Sequence, residues 1–239
     1  MALLSPREGL SRNEFEEYWL RRHGPLVART PGYGRYRIHY SQDHVHAQGP
    51  WGGPFSYAGL AQVLAPATAE VPPSFSETPQ FRDRILPDEQ KFLNRQISVA
   101  FAVDQVQLTQ GHGAHKVVML SAPGSGLGTE EIRFEYLQHY LPEAGGNRLL
   151  AAQVAGWTVG FVTSPLASMD GTQTSILESF ICVEEVWFAT RQAMMAWGSE
   201  LTSGPASVVR RRMFSEEASS SFVSREYVFF RDGKPTEIA

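Results

Sequence analysis

The sequence predicts an α+β protein in which one β-α-β-β-α-β unit occurs twice and the two sheets close face to face into one barrel with helices outside. Three observations predict it. Gly9-Leu10-Ser11-Arg12-Asn13-Glu14-Phe15, Tyr18-Trp19 and His23-Gly24-Pro25-Leu26 return 117 positions later as Gly126-Leu127-Gly128-Thr129-Glu130-Glu131-Ile132, Tyr136-Leu137 and Tyr140-Leu141-Pro142. Each copy reads as strand, helix, two strands, helix and strand. Each sheet has an apolar face that it cannot leave in water, and joining the two faces buries both.

In the first copy Ala2-Leu3-Leu4 is a short strand, broken by the turn Ser5-Pro6-Arg7-Glu8-Gly9. Ser11 stands three residues before Glu14, a capping-box spacing, and Phe15, Tyr18, Trp19 and Arg22 recur at helical intervals until Gly24-Pro25 stops the helix. His23 then sits at the helix end. After Pro31-Gly32, residues 35–40 alternate as a strand, with Tyr36, Ile38 and Tyr40 on one face and Arg35, Arg37 and His39 on the other. A Gly/Pro-rich stretch from Gly49 to Pro54 leads to a third strand at residues 55–64. Pro72-Pro73 opens a helical region with Phe75, Phe81, Ile85 and Leu86 at apolar spacing, and residues 96–106 close the unit as a fourth strand. That order is the split unit of the ferredoxin-like fold.

The second copy predicts a strand at 116–120, a helix at 129–140, strands at 152–162 and 180–188, the start of a helix at 191–197 and a last strand at 225–230. Gly111-His112-Gly113-Ala114 is the joint, which sets ferredoxin-like repeats at residues 1–110 and 115–239. The first has a histidine where the second has Tyr140, so the site is expected in the first.

The chain has 239 residues, 42% hydrophobic and 19% charged, enough to bury a sizeable core. Its net charge of −4 is spread without a basic block, so neither nucleic acid nor a membrane surface is an expected partner. Cys182 lies in the apolar run Phe180-Ile181-Cys182-Val183 and reads as a buried, inert thiol. With no apolar run long enough to span a bilayer and no signal-peptide pattern, a cytoplasmic setting is the expectation.

Gly9-Leu10-Ser11, Phe15, Tyr18-Trp19 and His23-Gly24-Pro25-Leu26 resemble the signature of the EthD family of dimeric α/β-barrel proteins, and Glu185-Val186-Trp187-Phe188 resembles its third-strand motif in the second copy. The resemblance implies an intramolecular dimeric α/β barrel. It is functionally mixed, covering proteins linked to ether degradation and cofactor-free decarboxylases, dehydratases and cyclases, so fold alone names no reaction. The chain departs from it where Gln62 stands for the Glu185 of the second copy and Tyr140 for a histidine.

The barrel interior is the expected pocket, with its site near the mouth. His23, His39 and His44 are the candidate acid–base residues, because imidazole takes and returns protons near neutral pH, and Tyr140 is added from the second copy. Asp43 beside His44 offers a carboxylate to orient it. Each has a plainer reading: His23 as a C-terminal helix cap, His39 on a solvated rim, His44 in a solvated loop. Trp19, Arg35, Tyr36, Tyr40, Trp51, Tyr57 and Tyr136 are the candidate substrate-binding residues for a flat or greasy oxygenated molecule. His39, His44 and His46 offer three imidazoles to a divalent metal, but no carboxylate or thiol at a firm spacing completes a site, so no metal and no cofactor are expected.

The Gly124–Gly128 run lacks dinucleotide and P-loop spacing, Arg210-Arg211-Arg212 reads as a solvated turn, and Met194-Met195 with Trp197 reads as helix packing. Three functions remain: a cofactor-independent lyase or isomerase working by histidine proton transfer, a cofactor-free oxygenase, or a carrier of a small hydrophobic molecule. Further association into a homodimer stays open.

Overall fold

A computed structural model describes residues 1–66, 74–124, 126–146, 152–164, 166–172 and 180–238. Pro72-Pro73 and Ser125 lie outside them. In chain order the elements are β1 (Ala2–Leu4), α1 (Arg12–Tyr18), a π-helical turn (Trp19–His23), α2 (Gly24–Ala28), β2 (His39–Gln48), β3 (Gly59–Leu64), a second π turn (Phe81–Ile85), α3 (Leu86–Phe92), β4 (Val99–Ala100) and β5 (Val103–Thr109). There follow β6 (His115–Pro123), α4 (Thr129–Glu135), a third π turn (Tyr136–Tyr140), α5 (Leu141–Gly146), β7 (Val154–Val162), β8 (Ala167–Ser168), β9 (Cys182–Phe188), α6 (Arg191–Ser203), α7 (Pro205–Met213), β10 (Phe214–Arg231) and β11 (Lys234–Pro235).

The capping box forms as its spacing predicts: Ser11 N–H donates to the Glu14 carboxylate at 2.8 Å, and Glu14 N–H donates to Ser11 Oγ at 3.3 Å. Strand boundaries moved more than helix starts. Tyr33–Arg35 form a 3-10 turn entered through Gly32 at φ +79, so the second strand begins at His39 rather than 35. The third begins at Gly59, and the last begins at Phe214 rather than 225.

All strand pairs are antiparallel, and the sheet runs β7-β9-β6-β10-β2-β3-β1-β4. Two segments turn this ribbon back on itself. β10 pairs with β6 through Phe214–Ser224 and with β2 through Phe222–Arg231. β4 pairs with β1, and β5, only two residues further on, pairs with β7. The result is a barrel-like α+β fold.

Strand alternation sorts side chains between the inside and the helix layer. Inside lie Leu3, Leu60, Val99, Val118, Val183 and Phe222 in one apolar cluster. Beyond them Lys116 Nζ reaches Asp43 at 2.9 Å, Glu185 at 2.6 Å and Glu226 at 2.8 Å. Gln62 Nε2 donates to Glu185 at 2.5 Å. The interior is therefore packed with side chains, and the expected pocket there gives way to a cavity between sheet and helices.

Candidate functional site

His23 closes a π-helical turn that begins at Trp19. Gly24 N–H bonds back to the Trp19 carbonyl, an i→i+5 step, and the four-residue spacing leaves Trp19 and His23 on one face. Gly24-Pro25 does not end the helix as its sequence suggests, because Pro25 lies in the first turn of α2, where it has no N–H to satisfy. His23 is thus inside a helical segment and buried, rather than at an exposed end, and the capping role falls away.

It lines a cavity of about 220 Å³. Leu4, Ala61 and Val63 form the sheet wall, and Trp19, Val27 and Ile85 the helix wall. Besides Ser74 and Ser76, the polar side chains lining it include His23, Tyr33, Arg37, Tyr40 and Glu89.

His23 Nδ1 is 2.9 Å from Asp88 Oδ2, with both side chains buried. The Tyr18 hydroxyl donates to the other Asp88 oxygen at 2.7 Å, and Lys91 Nζ approaches it at 3.3 Å. Burial acts to raise the Asp88 carboxyl, but hydrogen bonds from His23 and Tyr18 outweigh it and hold the group down at about 2. An ionised Asp88 keeps the proton of neutral His23 on Nδ1 and leaves Nε2 as the basic nitrogen. The neighbouring Glu89 is raised by burial against the opposing charge of Arg95, to which it is bonded.

The sequence of residues 7–96 matches the EthD domain. No curated protein matches the chain. Among solved structures it is similar to a candidate monooxygenase from Lactobacillus acidophilus NCFM, with a TM-score of 0.54 and 8% identity over 100% of this chain and 96% of that one. At that identity the likeness is one of fold.

Most of the cavity wall comes from the residues that match the EthD domain, with Leu4 of β1 outside them, and of the residues singled out in the sequence it holds His23, Trp19 and Tyr40. His44 lies on the helix side of β2, stacked on Trp19 at 4.4 Å and bonded to Gln42 at 3.0 Å, and faces an outer groove with His46 and Arg225. Burial pulls its pKa down to about 3. His39 is lowered by burial and lies within the field of Glu226, Lys116 and Glu185 at the barrel's polar end. Among the described residues His39, His44 and His46 do not converge, and the one group at metal-ligand spacing is Asp43, Glu185 and Glu226, whose centre Lys116 contacts.

Arg35 is exposed, and it is Arg37 that reaches the EthD cavity, because the 3-10 turn shifts the register assumed for residues 35–40. Tyr36 packs on Phe75, and Tyr57 joins the barrel interior. Asp88 and Glu89 carried no sequence signal beyond acidic residues after Pro87 at a helix start, which reads as dipole compensation.

Tyr136 and Tyr140 sit in the helix-side core outside the EthD domain, on a π turn like that of Trp19–His23. There an ion pair occupies the space. Tyr136 donates to Glu184 at 2.6 Å, Glu184 meets Arg210 at 2.5 Å, and Arg210 donates to Ser121 at 2.7 Å. The Trp51 ring lies 4.8 Å from the Arg210 guanidinium, so Trp51 fills this core instead of lining the first cavity. Arg210 is fully buried, contrary to the solvated turn expected of three arginines, because α7 turns it toward Glu184. Cys182 is buried in the same core, and burial pushes its thiol up.

Proposed function

We propose that the protein is a small-molecule enzyme that moves a proton beside a carbonyl or hydroxyl group, with His23 as its acid–base residue and no cofactor. The observation that carries this reading is the His23–Asp88 pair at 2.9 Å, with His23 on the wall of a mostly apolar cavity. Nε2 takes a proton from carbon, the C–H electron pair moves onto the adjacent carbonyl oxygen, and the imidazolium returns the proton to carbon or to a leaving hydroxyl. Isomerisation, dehydration and cyclisation differ in the fate of the enolate, whereas decarboxylation forms the enolate by loss of CO2 and needs only the return of a proton to carbon. Asp88 keeps the imidazole oriented and offsets its positive charge.

The cavity is lined mainly by residues of the segment that matches the EthD domain, and the second half completes the fold. We read the two halves, 1–110 and 115–239, as diverged copies of one ferredoxin-like unit; the π turns at 19–23 and 136–140, 117 positions apart like the sequence repeat, support it. His39, His44 and Tyr140 are given no catalytic step here, since none lines the cavity.

The test needs no native substrate. In D₂O, 2-tetralone exchanges the protons beside its carbonyl, and the wild-type protein is expected to accelerate that exchange, His23→Gln to abolish it, and His44→Gln to retain it. A wild-type protein that binds the ketone and exchanges nothing is a carrier, and the reading falls. The printed name of the Lactobacillus acidophilus neighbour motivates an oxygenase reading; oxygen uptake matched to loss of 1-naphthol would favour it over proton transfer alone.

A further inference from the structure

Two phenols in the cavity have protons to give and, among the described residues, no acceptor for them. Tyr33 and Tyr40 are 2% and 3% exposed, and both line the cavity. Among the described residues, the Tyr33 hydroxyl has no hydrogen-bond partner. The Tyr40 oxygen accepts from Gln42 Nε2 at 2.8 Å, which leaves its own proton to be donated. A buried polar group left unpaired costs about 1–3 kcal/mol, so such a group calls for a reason.

The rings hold these hydroxyls in place. Tyr33 is clamped edge-on between Phe75 at 5.1 Å and Phe230 at 5.0 Å, and Tyr40 stacks on Phe229 at 5.6 Å. Burial pushes both phenols well above their ordinary range, so each stays protonated and acts as a donor. The two hydroxyls are near enough that charge on Tyr40 disfavours charge on Tyr33, while Arg37, also on the cavity, acts the other way.

We propose that the cavity binds a small ring compound through one oxygen bearing negative charge, a phenolate or enolate, held by the Tyr33 and Tyr40 hydroxyls beside the Arg37 guanidinium. The ring packs on Trp19, Val27, Val63 and Ile85. Donors fixed before the charge develops stabilise it more than mobile water does, because they need no reorganisation. The inference rests on the proton-transfer reading and adds to it: when His23 takes the carbon-bound proton, the electron pair comes to rest on the oxygen that the two tyrosines hold. A cavity below the usual ~300–1,000 Å³ of ligand pockets limits the substrate to a compact molecule.

The experiment compares 4-nitrophenolate with nitrobenzene, the same ring without the oxygen, by calorimetry and by the visible band of the bound phenolate above neutral pH. The wild type is expected to bind 4-nitrophenolate about tenfold more tightly than nitrobenzene. Tyr33→Phe and Tyr40→Phe should each remove about that factor for the phenolate and leave nitrobenzene unchanged. If both probes bind equally and neither variant alters the ratio, the oxygen-holding role is overturned while the cavity and His23 stand. If neither probe binds, the inference falls together with the cavity as the site.

Discussion

At the residue scale the proposed chemistry turns on Asp88. Its carboxyl stays ionised because His23 and Tyr18 hydrogen-bond it, and those bonds disappear if the charge does. Asp88→Asn keeps the shape but can present its amide N–H to Nδ1, which turns the imidazole to the wrong tautomer. The exchange rate of 2-tetralone is expected to fall about 10²-fold, in the range that a positioned acid–base residue supplies, with ketone binding retained. An unchanged rate would remove Asp88 from the mechanism. His23 was legible in the sequence from its place in the repeated motif, whereas Asp88 was not: 65 positions separate them, and nothing local to Pro87-Asp88 points back to α1.

At the element scale the decisive feature is the π turn. Trp19 and His23 are four residues apart and would share a face in a regular α-helix too; what the i→i+5 step changes is the phase of α2 relative to α1, which sets how Val27 meets the same cavity. The segment leaves the turn with no spare room: a Cβ on Gly24 would lie 2.2 Å from the Phe229 ring, and that ring stacks on Tyr40. Gly24→Ala is therefore expected to destabilise the protein by about 1–3 kcal/mol, read as a lower denaturant midpoint at constant slope, and to weaken 4-nitrophenolate binding by displacing Tyr40. A wild-type midpoint would mean that the ring has somewhere to move. Apolar periodicity predicted the helix correctly and missed the π turn, since one inserted residue hardly alters a pattern of apolar spacing.

At the scale of the whole molecule, Lys116 ties the two halves together from inside the barrel. One ammonium faces Asp43, Glu185 and Glu226, so full ionisation would leave excess negative charge in a buried place. Burial raises Asp43 to about 7 despite the pull of Lys116 and a hydrogen bond from Ser224, whereas Glu226 is lowered by Lys116 against its own burial. For Asp43 the folded pKa stands above the ordinary 3.8, so the native state binds a proton that the unfolded chain releases. That contribution is complete below the unfolded value and is lost as pH rises through about 7. Glu226 works oppositely, losing its contribution as pH falls through its depressed value, outside this window. Asp43→Asn, which cannot titrate, is expected to flatten the decline in unfolding stability between about pH 5 and 8, measured by thermal melts across that range. A variant with the wild-type slope would place the proton elsewhere.

What the sequence determined by itself was whatever depends on neighbours along the chain. The capping box at Ser11-Glu14 and the alternation of apolar strand residues arise from local geometry, the 117-residue echo is read directly from the order of residues, and together they were enough for an α+β, barrel-like molecule with His23 in view. Tertiary structure decided which side of the sheet holds space and which holds charge. Asp43 was read as a partner for the adjacent His44, yet strand alternation sends Asp43 inward to Lys116 and His44 outward onto Trp19. Arg210 and Trp51, far apart in the chain, meet face to face to fill one helix-side core, while the other stays open beside His23. Such pairings depend on which strands lie side by side after the sheet has curled, and an interaction between distant residues leaves no periodic trace in the order of amino acids.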